Sequence, residues 1–403
     1  MKSFIHTSTM DKQPKQVLTI LIFAVFAGSS LWFSSNAILS ELSLAIPEMS
    51  YGVSDITSAV QFGFIIGTLL FSLLNVSDRF PSGRVFLVSS LLGSLSNALI
   101  VILPIDGDTL IISRCLTGFF LAGIYPVGVK IAALWCNNNL GRALGHIVAA
   151  LVIGTAFPHL MNALDLSLNW QWVIISASCL SILGGLLVAF FIPEKSMGIR
   201  TPHHEGWSLL KIFKSNDFKS SASGYFGHMW ELYTFWAFVP IILTVYTQLS
   251  AADLNVPLWS FLIIAAGGIG CSVGGLLSFK LGSARVAFYQ LATSGICCLI
   301  FPLMLNSPAS LFLFYLVIWG ISSAGDSPQF STLNAKTAPV DAVGSAITLV
   351  ICLGFGLTII SLNVFNFLMS QFSLQIAVSL MSIGPLCGLI ALYPLKLKNP
   401  LFN

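Results

Sequence analysis

The chain has 403 residues, 56% of them hydrophobic and 8% charged, with a mean hydropathy of +0.90 and a formal net charge of +3. A soluble domain carries about 25% charged residues, so soluble globular, disordered and nucleic-acid-binding classes are excluded and a polytopic membrane protein remains. One helical span needs about 20 apolar residues, so twelve spans use about 240 positions, which this composition supplies once Gly, Ser and Thr are admitted.

The N-terminus carries Lys2, Lys12 and Lys15 ahead of an apolar run from Val17 to Ile38. The run is longer than a signal-peptide core and lacks a small-residue cleavage site, so it reads as a first transmembrane helix. Further runs cover 55–76, 85–103, 110–133, 143–164 and 171–192, and after a break 220–246, 257–279, 286–305, 310–332, 344–369 and 374–393. Hydrocarbon excludes unpaired backbone groups, so each run is predicted to be a helix. The eight cysteines form no CxxC pair, so neither metal nor redox chemistry is suggested and they read as small buried apolar residues.

Basic residues set the expected orientation. Sixteen of the 18 Lys and Arg fall on alternate connections and the two termini, while Arg114 and Lys130 fall within a span. The opposite connections carry Glu41, Glu48, Asp55, Asp106, Asp108, Asp165 and Asp253 and no Lys or Arg. Positive-inside orientation then places both termini and the 193–219 stretch in the cytoplasm of a cell with an inner membrane. That stretch divides the chain into an N-terminal six-helix bundle (1–192), a linker loop (193–219) and a C-terminal six-helix bundle (220–403). His203 and His204 lie in it with no further ligand at a useful spacing, and no metal or other cofactor is predicted.

The halves resemble each other. Gly118, Ala122, Gly123 and Pro126 recur 202 positions later as Gly320, Ala324, Gly325 and Pro328, and Arg84-Val85 recurs as Arg285-Val286. An internal duplication around a midplane site is a secondary-transporter design.

With twelve spans and a central loop, Asp78-Arg79-Phe80 and Gly83-Arg84 between the second and third spans resemble the gate-loop signature of the major facilitator superfamily. The match departs from the family pattern at Leu74, which stands where a glycine leads, and at Pro81-Ser82, inserted before Gly83. Arg114 followed by Gly118 is similar to the family's intramembrane arginine signature, associated there with proton coupling. Gly145, Gly154 and Pro158-His159 keep part of the fifth-span antiporter signature but lose its Gly-Pro pair. The resemblance implies an all-α integral membrane fold of two pseudo-symmetric six-helix bundles. It implies spans 1, 4, 7 and 10 around a cavity and 3, 6, 9 and 12 outside.

Intramembrane charge is costly and marks functional candidates. Arg114 and Lys130 lie in span 4, His228 and Glu231 in span 7, and Asp326 in span 10, so the charges follow the cavity that the resemblance implies. Spaced three apart, His228 and Glu231 share a helix face, as a proton-exchanging pair or a structural one. Arg114 can grip a carboxylate bidentately or pair with an acid elsewhere in the bundle. Asp326, in Gly-Asp-Ser-Pro, reads as a gate hinge, a cation site or a cap, and Lys130 as a snorkelling side chain. Trp32, Asn36, Tyr125, His159, Trp230 and Asn363 are substrate-cavity candidates. Gly63 and Gly67, and Gly270 and Gly274, read as close helix packing.

These features predict a secondary transporter that moves a small polar or anionic metabolite by alternating access, with protons as coupling ion, the lipid bilayer as its setting and the monomer as its unit. The alternative is a proton-driven exporter of a drug or a secreted metabolite such as a siderophore. An enzyme would need a constellation such as HExxH, and that is absent. A channel would rely on pore rings, and the duplication argues for a rocking machine instead.

Overall fold

The computed structural model describes residues 3–46, 51–104, 106–136, 140–164, 169–194 and 212–398. Among them every regular element is a helix. The spanning helices are α1 (Ser3–Ser29), α2 (Val53–Leu73), α3 (Ser82–Ile102), α4 (Gly107–Trp135), α5 (Leu140–Ala163) and α6 (Gln171–Phe191), followed by α7 (Asn216–Ser250), α8 (Val256–Leu281), α9 (Ser283–Met304), α10 (Ala309–Thr337), α11 (Val343–Gln371) and α12 (Leu374–Leu397). Eleven are long and apolar enough to cross a membrane, and α1 has a shorter apolar part, Lys15–Ser29. Of the expected linker, 195–211 lies outside the described residues. α7 begins earlier than 220, where the Ser215 hydroxyl caps it by accepting the Phe218 N–H at 3.3 Å.

Within the first six helices, α1 packs on α5 and α6, α2 on α4, and α3 on α4 and α6. The last six repeat the scheme, with α7 on α11 and α12, α8 on α10, and α9 on α10 and α12. The two sets meet chiefly along α5–α8 and α2–α11. The outward faces are apolar: Leu95 of α3, Phe190 of α6, Leu303 of α9 and Ile390 of α12 are 54%, 75%, 72% and 76% exposed. Such side chains fit lipid rather than water.

Glycines set the tightest approaches. A Cβ at Gly118 would lie 2.0 Å from the Val60 oxygen, and one at Gly320 would lie 2.0 Å from the Ile263 oxygen. The duplicated glycine therefore performs the same task twice, bringing α4 onto α2 and α10 onto α8. Gly63 and Gly67 meet Cys115 and Phe119 of α4, and Gly270 meets Ile321 of α10, so these pairs pack as expected.

Four spans are broken within their length, α12 among them at Ser382. α4 turns at Ala122–Ile124 and α10 at Asp326. Pro126 and Pro328 have no N–H for the carbonyls of residues 122 and 324, and the Ala324 oxygen accepts the Cys271 thiol at 3.2 Å instead. The first break corrects the expected single helix over 17–38: α1 ends at Ser29, residues 30–35 form turns, and short helical segments follow at Asn36–Ile38 and Leu39–Ala45. Serine hydroxyls compete for the backbone there, with Ser30 donating to the Ala27 oxygen at 2.7 Å and Ser34 to the Leu31 oxygen at 3.2 Å. The cysteines also divide differently from the expectation: Cys271, Cys297, Cys298 and Cys352 are buried, whereas Cys179 and Cys387 are exposed. α6 and α12 carry those two, and both helices lie on the apolar exterior, where a thiol needs no burial in protein.

Candidate functional site

Arg114 is fully buried and sits at the centre of a polar knot. One terminal nitrogen donates to the Leu31 oxygen at 3.1 Å and to the Ser34 hydroxyl at 3.0 Å. The other donates to Asn97 Oδ1 at 2.5 Å and to the Thr117 hydroxyl at 2.9 Å. Asn97 passes the connection on, donating to the Ile174 oxygen at 3.2 Å and to the Ser178 hydroxyl at 2.9 Å. α4 is thereby tied to the broken part of span 1, to α3 and, through Asn97, to α6. All four partners are neutral, so the guanidinium holds backbone and amide oxygens rather than a carboxylate.

The last six helices hold a buried acid in a comparable setting. Trp319 of α10 donates its indole N–H to Glu231 Oε1 at 2.5 Å, and Ser294 of α9 donates to Oε2 at 2.8 Å. The Cys298 thiol lies 3.7 Å from Oε1. Asn97 and Cys298 stand 201 positions apart, the offset of the duplicated Arg-Val loops, so each half brings an equivalent position to its buried charge. Asn97, Ser294 and Trp319 were missed as site residues. The available signal was a polar atom inside an otherwise apolar run.

His228 does not pair with Glu231 as their spacing suggested. Its Nδ1 lies 2.7 Å from Asp326 Oδ1, and its Nε2 shares a hydrogen bond of 2.8 Å with the Ser327 hydroxyl. The imidazole packs beside the Tyr225 and Phe330 rings, at centroid distances of 6.0 and 5.7 Å. It is thus locked onto the break in α10, while Glu231, one turn further along α7, faces α9 and the preceding turns of α10.

At the centre of the molecule Trp32 lies 5.1 Å from Phe64, 5.7 Å from Tyr233 and 5.7 Å from Phe355, ring to ring. These four rings come from span 1, α2, α7 and α11, and they fill the space where the halves meet. Beyond them opens a cavity of about 620 Å³, lined among others by Asn36, Glu41, His159, Asn162, Thr244 and Gln248. A volume of this size suits a small organic molecule. It lies toward the connections that carry no Lys or Arg. Asn36 and His159 are buried and line it, and Glu41, read from sequence only as a marker of sidedness, lines it too.

The remaining candidates lie elsewhere. Tyr125 follows the α4 break and packs half-buried against the main apolar core. Trp230 lies against Gly384 of α12. Asn363 is exposed and bridges α11 to α2, donating to the Ser58 hydroxyl at 3.3 Å. In the gate loop Asn75 adopts φ 50°, a left-handed conformation that Asn tolerates, and starts the short helix Val76–Arg79. Asp78 accepts from Lys130 at 2.6 Å, and Lys130 also donates to the Ser77 oxygen, so this lysine ties the loop to α4 rather than snorkelling free. Gly83 packs on α6, near Ala189. No ion pair of Arg79 or Arg84 occurs among the described residues.

Residues 17–361 match the Major Facilitator Superfamily. The match covers most of the chain and coincides with the helical architecture, so the chain belongs to this superfamily and is a multi-pass membrane transporter with its all-helical fold. No curated protein matches the chain.

Proposed function

We propose that the protein is a proton-coupled secondary transporter of a small polar molecule. It works as a monomer by alternating access in a cell inner membrane, with both termini in the cytoplasm. Two bundles, 1–192 and 220–403, rock about the aromatic centre while 193–219 links them. Glu231 is the proton-carrying group. The observation that carries this reading is that Glu231 is buried, with hydrogen-bond partners that are all neutral. A carboxyl with no fixed cation beside it can gain and lose a proton without breaking an ion pair, and rocking changes its access to water. Ser294 and Cys298 can each turn their hydrogen to donate or accept as the proton moves. His228, bound to Asp326, acts on Glu231 through α7 and the α10 break rather than by direct contact.

The anionic half of the expected substrate range is set aside. Both terminal nitrogens of Arg114 donate within the first six helices, and no Lys or Arg is among the cavity-lining residues.

The test is Glu231→Gln in proteoliposomes, using a metabolite that stabilises the purified protein against heat. The variant is expected to keep exchanging substrate across the membrane while losing accumulation driven by a pH gradient. Continued accumulation under an imposed pH gradient alone would remove Glu231 from the coupling role.

A further inference from the structure

From the donor and acceptor arrangement of the 620 Å³ cavity, we infer that its ligand is a small organic cation with N–H donors, a primary ammonium, anchored by Glu41. The inference rests on the reading of the chain as a transporter but not on its proton coupling.

The rim alone says little, because a face without Lys or Arg follows from membrane orientation. The interior is more specific. Glu41 Oε2 accepts from the adjacent Ser40 hydroxyl at 2.8 Å, and Oε1 receives only the Asn162 amide, at 3.4 Å. An ionised carboxylate offers about four acceptor sites, so Glu41 keeps acceptor capacity toward the cavity and has no cation.

Asn36 points the same way, and its orientation is fixed by a chain of hydrogen bonds. The Thr57 hydroxyl donates to the Val53 oxygen at 2.6 Å, so toward Asn36 it can only accept. The Asn36 amide nitrogen must therefore face Thr57, where it lies 2.7 Å away, and Oδ1 is left as the free end. That oxygen is buried, belongs to a residue lining the cavity, and has no hydrogen-bond partner. His159 is 2% exposed, lines the cavity from α5, and also has an unpartnered Nε2.

Glu41 keeps open acceptor sites and has no cation among the described residues, so a ligand that supplies a positive charge and N–H groups to this carboxylate meets what the wall lacks. Asn162 has already committed its amide hydrogens, to the Ala37 oxygen at 2.6 Å and to Glu41. The Tyr51 hydroxyl at the mouth donates to Asp108 at 3.1 Å, and this bond raises the pKa of its phenol. The wall thus offers a carboxylate and, among the described residues, no Lys or Arg, with the Gln248 amide as a donor that remains uncommitted. A carboxylate ligand would find no cation here, and Glu41 would repel it.

The experiment is isothermal titration of the purified full-length protein with butylammonium, putrescine, tetramethylammonium and butyrate at constant ionic strength. The two primary ammonium probes are expected to bind saturably. Tetramethylammonium, which carries the charge without N–H donors, should bind more weakly, and butyrate should not bind. Glu41→Gln should weaken the ammonium probes at least about tenfold, and Glu41→Asp should keep most of the affinity. Gly344→Ala should bind them like the unaltered protein, since nothing lies within 4 Å of its Cβ position and it is not among the lining residues. Butyrate binding above the ammonium probes, equal ammonium affinity in Glu41→Gln, or no ammonium binding at all would each overturn the inference. If ammonium binding fails while Glu231→Gln still abolishes gradient-driven accumulation of another metabolite, the substrate class falls and the proton-coupled reading stands.

Discussion

Arg114 donates to the main-chain oxygen of Leu31 at 3.1 Å, so a guanidinium on α4 holds a carbonyl within the stretch where span 1 leaves its helix. The broken segment also carries Trp32 of the central aromatic cluster and Asn36 of the cavity wall. A charge in the first six helices therefore shapes the cavity indirectly, by fixing the backbone that presents these two side chains.

Replacing Arg114 by Lys should impair both stability and transport although the positive charge is kept. One ammonium cannot reach the Leu31 oxygen and Asn97 Oδ1 together as the two arms of the guanidinium do. At least one buried acceptor loses its donor, at a cost of about 1–3 kcal/mol. Thermal unfolding in detergent and uptake in proteoliposomes check this. An unchanged Lys variant in both assays would mean that the knot contributes only its charge.

Gly118→Ala and Gly320→Ala should each be strongly destabilising, because the added methyl would meet a backbone oxygen 2.0 Å away rather than a movable side chain. Overpacking of this kind costs about 1–3 kcal/mol or more. Gly344→Ala is the control, since nothing lies within 4 Å of its Cβ position. Monodisperse yield on size-exclusion chromatography reads the difference, and equal yields for all three variants would contradict the close approach.

The spans and two of the four helix breaks were legible in the sequence. A membrane span needs only a sustained apolar run, and Gly with Pro in span 4 recurs 202 positions on in span 10. The break in span 1 was missed: Gly28-Ser29-Ser30 stands at the end of α1, but glycines occur throughout the spans without breaking them. The break depends on an arginine 83 positions away that donates to the Leu31 oxygen. The partner of His228 was also hidden. Three residues turn a helix by about 300° and raise it by about 4.5 Å, which leaves about 60° between the two directions. That is enough for His228 to reach Asp326 while Glu231 reaches Trp319, some seven residues away on α10. Trp230 and Asn363 fell outside the cavity because a polar or aromatic residue in an apolar run shows its type but not its face.

The proposed orientation makes a separate prediction. Cysteines introduced at Asp106 and Asp253, in a background without the exposed Cys179 and Cys387, should react with a membrane-impermeant thiol reagent added outside the cell. A cysteine at Lys280 should react only after permeabilisation. Labelling of Asp253→Cys from the cytoplasmic side would reverse the orientation, and with it the side on which the cavity opens.

The contact between His228 and Asp326 should be energetically coupled. Both side chains are almost fully buried, at 1% and 0% exposure, and their atoms approach to 2.7 Å across α7 and α10. Removing one member of a buried pair leaves the other without its partner, which costs about 3–5 kcal/mol when the survivor is charged. Asp326→Ala strands the imidazole Nδ1, and His228→Phe strands the carboxyl, so each single variant should unfold at lower temperature or denaturant than the unaltered protein. The double variant has neither group left to strand. Its destabilisation should therefore fall short of the sum of the singles by about 0.5–3 kcal/mol. Asp326→Asn should cost less than Asp326→Ala, because its amide oxygen can still accept a hydrogen bond from Nδ1. Strictly additive losses across the cycle, measured by denaturant unfolding in detergent, would show that the short distance carries no mutual stabilisation and that the break in α10 is held by Pro328 and the Ala324–Cys271 contact alone.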